Sequence, residues 1–128
     1  MKPEDIERYV LDNAERLLNS CGELCANATP ALSLEEGRVY SGCDYCLLRT
    51  ALDELSPPSL SVTLRNGEYC EFVYLEGYVL EVTEETAQLH GIEEFEEMLE
   101  DLEAFGIISA EDKNVIREWL RSLRTRAS

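Results

Sequence analysis

Apolar positions recur every three or four residues at the start of the chain, alternate with polar ones in the middle, and return to helical spacing at the end. Ile6, Val10, Ala14, Leu17, Cys21, Leu24 and Ala28 form one stripe, which predicts a helix from residue 3 to about residue 27. Pro3 suits a first helical turn, Glu4, Asp5 and Glu7 complement the positive end of the dipole, Gly22 weakens the last turns, and Pro30 ends any continuation. Residues 43–55 read as a second helix, with Cys43, Cys46, Leu47, Thr50 or Ala51, and Leu55 on one side. Between the two, Leu32, Leu34, Val39 and Tyr40 around Glu36-Gly37 suggest a short hairpin. Ser56-Pro57-Pro58-Ser59 then breaks the pattern.

The clearest strands follow. Leu60, Val62 and Leu64 alternate with polar residues, Asn66-Gly67 is a two-residue hairpin signal, and the chain returns over Glu68 to Glu76. Gly77 permits another turn before Tyr78 to Thr83. The second and third strands carry apolar residues at both parities, as strands covered on both faces do. Ile92, Phe95, Met98, Leu99, Leu102 and Phe105 then mark a helix stopped by Gly106. Ser109, with Asp112 three residues on, starts another that carries Val115, Ile116, Trp119, Leu120 and Leu123. The expected fold class is α+β: N-terminal helices, a three-stranded antiparallel β-meander, and a C-terminal α-helical hairpin packed on it. At 128 residues it fits one domain spanning 1–128, long enough for a single core.

Charge changes the picture. With 27 acids against 11 Lys and Arg the chain carries −16, a field that repels nucleic-acid phosphates and anionic membranes and attracts basic proteins or cations. Direct nucleic-acid binding and membrane binding are therefore not expected. The acids are 21 Glu against 6 Asp, a poor match to halophilic adaptation. No apolar run approaches the ~20 residues of a membrane span, and Met1 to Ile6 lead straight into an amphipathic pattern, so a cytoplasmic location is expected.

Five cysteines are many for such a location. Cys21-x3-Cys25 and Cys43-x2-Cys46 are two closely spaced pairs 17 residues apart, and four thiolates converging from two helices would make a tetrahedral zinc site. The same residues also fit plain buried thiols, or two disulfides in an oxidising compartment or a thermophilic host. Cys70 shares its strand parity with Phe72 and Tyr74 and reads as core.

The acids are unevenly placed. Residues 84–108 hold nine acids and no Lys or Arg. Glu93, Glu94, Glu96, Glu97, Glu100 and Asp101 fall on one helix, where like charges one turn apart cost roughly 0.2–0.5 kcal/mol per pair. Such a helix can imitate a row of phosphates and dock on a basic surface of another protein. Equally, it fits a solvated face balanced by Arg117, Arg121 and Arg124 across the helical hairpin.

Catalytic signatures are weak. The single histidine, His90, precedes Gly91 in an expected loop, and there is no phosphate-cradling glycine loop, dinucleotide fingerprint or His-Glu-x-x-His. The reading is therefore a non-enzymatic acidic protein-binding module, an inhibitor or antagonist of phage or immunity type that meets a basic, nucleic-acid-binding protein surface. A zinc-stabilised structural or adaptor subunit, with homo-oligomerisation open to it, is the alternative, and a thiol-dependent enzyme comes third.

Overall fold

The computed structural model describes residues 1–29 and 31–127. It is α+β, with five helices and one five-stranded antiparallel sheet: α1 (Pro3–Asp12), α2 (Ala14–Ser20), β1 (Val39–Ser41), α3 (Gly42–Leu55), β2 (Ser59–Thr63), β3 (Tyr69–Leu75), β4 (Tyr78–Val82), β5 (Thr86–Gly91), α4 (Ile92–Ala104) and α5 (Ala110–Ala127). A single 3-10 turn, Glu23–Cys25, follows α2.

The three-stranded meander is too small. Strands run in the order β1-β5-β4-β3-β2, so the meander continues for a fourth strand, and β1 is added at its far edge. The segment expected to fold on itself around Glu36-Gly37 pairs instead with a strand some fifty residues on: Val39 faces Gln88, Tyr40 faces Ala87, and the Gly37 N–H donates to the Leu89 carbonyl at 2.7 Å. His90, expected in a loop, lies in β5. That strand shows little β preference because its inward residues are Ala87, Leu89 and Gly91, and Ala and Gly pack poorly on a pleated face. Gly91 is buried and precedes α4, and a Cβ there would collide with the carboxylates of Glu94 and Glu36.

The long first helix is also corrected. It breaks at Asn13, whose side-chain amide donates to the Tyr9 carbonyl at 2.9 Å, and stops at Cys21. Gly22 then takes φ +88, a left-handed conformation that glycine alone adopts without penalty, and the chain turns sharply. The helical stripe loses its phase there, which leaves Leu24 98% exposed. Pro30, expected to end this helix, lies outside the described residues.

The double parity of β3 and β4 works as expected. Val73, Leu75, Leu80 and Val82 face one core with Ile6, Val10, Leu17, Leu47 and Leu48, whereas Cys70, Phe72, Tyr74 and Val79 face a second with Phe95, Leu99, Ile116 and Leu120. The sheet is thus a middle layer, with α1–α3 on one side and α4–α5 on the other. Phe72 and Phe95 meet edge-to-face at 5.1 Å in the second core. Gly106 closes α4 as a Schellman cap, with Ile107 N–H bonded to the Leu102 carbonyl at 2.9 Å and Gly106 N–H to that of Glu103 at 3.0 Å. The Ser109 hydroxyl accepts from Asp112 N–H at 3.0 Å and starts α5.

An ionic clamp secures the first layer: Arg16 on α2 reaches Glu54 on α3 at 2.7 Å, and the Tyr9 hydroxyl donates to the same carboxylate. The Arg16 guanidinium first, and the Tyr9 hydroxyl second, hold the Glu54 carboxyl down at about 2. An unfolded glutamate titrates near ~4.3. The clamp's contribution is accordingly present above that value and lost as pH falls toward about 2. In acid unfolding curves, Glu54→Gln should flatten this limb, and an unchanged limb would show that the clamp is not closed in solution. Phe95→Ala should cost about 3–5 kcal/mol, because it empties the joint between the sheet and the helical hairpin. Denaturant titration reads this directly, and a loss under ~1 kcal/mol would contradict the packing described.

Candidate functional site

Two surfaces carry chemistry, and they lie on opposite sides of the sheet. On the first, the four paired cysteines converge. Cys21 ends α2, Cys25 ends the 3-10 turn, and Cys43 and Cys46 lie one turn apart at the start of α3. They are joined as nested disulfides, Cys21–Cys46 and Cys25–Cys43, with Cα–Cα distances of 5.9 and 5.7 Å. The structure thus brings together the four residues expected to converge, in the disulfide form. With the bridges closed, no cluster of three or more His, Cys, Asp or Glu among the described residues is placed to hold a metal ion.

The local sequence explains the pairing. Gly22 folds the first pair into a tight turn rather than leaving it on one helix face, and Gly42, with φ +61, brings β1 abruptly into α3. The antiparallel approach of the turn and α3 then matches first with fourth and second with third. Cross-links between residues 25 and 18 positions apart restrict the unfolded chain substantially.

On the opposite side, α4 divides the acids into two sets. Glu96, Glu100 and Glu103 lean toward α5: Glu100 and Glu103 meet Lys113 at 3.3 and 2.9 Å, Glu100 also meets Arg117, and Glu96 lies 3.6 Å from Arg124. Lys113, first through its hydrogen bond, holds the Glu100 carboxyl below the usual carboxylate range. Glu93, Glu94, Glu97 and Asp101 are exposed and have no hydrogen-bonding or ionic side-chain partner among the described residues. Balancing across the hairpin is thus real for the inner acids and absent for the outer ones. Lys113 is the partner that sequence reasoning missed, although its place in the first turn of α5 puts it opposite the end of α4. Arg121, counted among the balancing residues, pairs within its own helix with Glu118 at 3.0 Å.

Arg117, Arg121 and Arg124 also line a shallow groove of about 550 Å³ beside Glu96 and Thr125. Within the second core, Cys70 is 2% exposed, and burial first, then the charges of Glu81 and Glu71, push its thiol up to about 12. His90 Nε2 lies 2.9 Å from Glu81 Oε1, which directs the ring to that carboxylate. No family model, curated protein or solved structure matches the chain.

Thiol counting tests this assignment. Without reductant, alkylation at pH 8 should label no cysteine in the folded chain and one, Cys70, after denaturation. Reduction should raise the denatured count to five, and a native count of four would mean that the bridges are open.

Proposed function

We propose that this chain is a non-enzymatic acidic binding module that docks the outer stripe of α4 on a basic surface of another protein, in the manner of an inhibitor that imitates phosphates. The observation that supports this most is the unpaired row Glu93, Glu97 and Asp101. Spaced four residues apart, these acids stand about 6 Å from one another along the helix axis. Both neighbouring pairs repel, and Asp101 sits near the C-terminal end of α4, where the helix dipole also disfavours an anion. Glu93 and Glu94 have a simpler account, since they complement the dipole at its positive end. Glu97 and Asp101 have none among the described residues, so their field is free to act on a partner. A basic, nucleic-acid-binding face supplies the complementary potential, and electrostatic steering would speed capture.

The thiol-dependent alternative is weaker. Cys70 is the only cysteine outside the bridges, and it is buried with its ionisation opposed by Glu81 and Glu71. As for location, no described helix is long and apolar enough to cross a membrane. A cytoplasmic home suits the closed bridges only where the cytosol tolerates disulfides, as in hyperthermophiles, and otherwise an oxidising compartment suits them better.

The triple variant Glu93→Gln, Glu97→Gln, Asp101→Asn separates binding from stability. Its folding stability should hold or rise by several tenths of a kcal/mol as like-charge repulsion is relieved. Its capture of cationic DNA-binding proteins, measured by surface binding against competing duplex DNA, should fall at least about tenfold. Raising salt from roughly 50 to 500 mM should weaken the parent in the same way. Neutralising Glu68, Glu84 and Glu85 on the hairpin tips is the control and should matter much less. If that control loses as much binding as the triple variant, the stripe is not the docking surface.

A further inference from the structure

We propose that Cys21, Cys25, Cys43 and Cys46 form a four-thiolate zinc site once a dithiol has reduced both bridges, so that the metal replaces the disulfides as the fastener between the α2 turn and α3. In tetrahedral zinc–thiolate coordination the bonds are about 2.3 Å, which places the sulfurs about 3.8 Å apart. The Cα atoms of each bridged pair are within 6 Å, and both bridges join the same turn to the first two turns of α3. Both halves of the site have the local form a metal needs. Cys21 and Cys25 flank a tight turn made by Gly22, and Cys43 and Cys46 project one turn apart from the start of α3. Cys43 lies in the first turn of α3, where the dipole favours a thiolate.

Access is also provided. Cys21, Cys43 and Cys46 are only partly buried and Cys25 is 6% exposed, so a reductant meets each bridge through at least one partly exposed sulfur. The chemistry balances. Each of two dithiols passes two electrons and two protons to one bridge and becomes a disulfide itself, leaving four thiols on the chain. Zinc binding then displaces their four protons and gives a site of net charge −2. A strongly acidic chain favours the incoming cation.

The test uses the full chain, reduced anaerobically with a phosphine that is removed before titration with cobalt(II). One cobalt per chain should bind, with the visible bands of tetrahedral coordination and the near-ultraviolet bands of thiolate ligation, and one zinc should displace it. If reduction alone loosens the fold, metal addition should restore the helical circular dichroism of the oxidised chain. The double variant Cys21→Ser, Cys46→Ser keeps the Cys25–Cys43 bridge when oxidised and so still folds. In its reduced form, affinity should fall by roughly a hundredfold or more. Cys70→Ser should change nothing. A reduced parent that binds no cobalt, a six-coordinate spectrum, or a double variant that binds as tightly as the parent would each overturn the site. The α4 triple variant should load zinc normally, so a failure here is distinguishable from a failure of the acidic docking surface.

Discussion

The burial of β3 and β4 on both faces is the constraint on which the rest of this structure depends. Val73, Leu75, Leu80 and Val82 need helices on one side, and Phe72, Tyr74 and Val79 need them on the other. Once both faces are covered, most of the charge is left to outer helix faces, loops and hairpin tips, and the acids within these strands are paired, Glu71 with Arg49 and Glu81 with His90. The layer built from α1 to α3 has the harder task, because α1, α2 and the 3-10 turn span only 10, 7 and 3 residues. Helices this short are not held by their own propensity. Packing against the sheet, the Glu54 clamp and the two cross-links hold them instead.

Much of this was legible in the sequence. The Gly106 stop and the Ser109 cap follow from local backbone chemistry and are found where expected, whereas the Asn66-Gly67 hairpin closes through a three-residue loop, Arg65 to Gly67, in which only Gly67 takes a positive φ. The two-sided cover of β3 and β4 was readable from their parity. What escaped is non-local or lacks a local signal. β1 is three residues with only Tyr40 buried, and it becomes a strand by pairing with β5. β5 in turn presents Ala87 and Gly91 inward, which look like loop residues until a neighbour covers them. The first helix fails at Asn13 and Gly22 although its apolar spacing continues, since spacing alone does not report a left-handed glycine.

The candidate sites were legible to different degrees for the same reasons. Convergence of the four cysteines was one of the arrangements their spacing allowed, but four cysteines allow three pairings, and only the antiparallel course of the turn against α3 selects the nested one. On α4 the six acids were read as one set. The burial of Phe95 and Leu99 fixes the rotation of that helix, which puts positions 93, 97 and 101 opposite the core and turns 96, 100 and 103 toward α5. A helical wheel drawn against the apolar stripe contains this division. The arrival of Lys113 opposite Glu100 and Glu103 depends on the geometry of the helical hairpin, which it does not contain.

The outer stripe is best understood by asking what stability alone would have done with it. The inner acids are each near a cation, so they add little strain to the fold. Glu97 and Asp101 repel each other across one turn, and Asp101 also opposes the dipole of its own helix. A lysine or glutamine at either position would relieve that repulsion without touching a buried residue. Both cores and the clasp lie elsewhere and can absorb a few tenths of a kcal/mol. The fold therefore tolerates a concentrated field on a face that bears no packing.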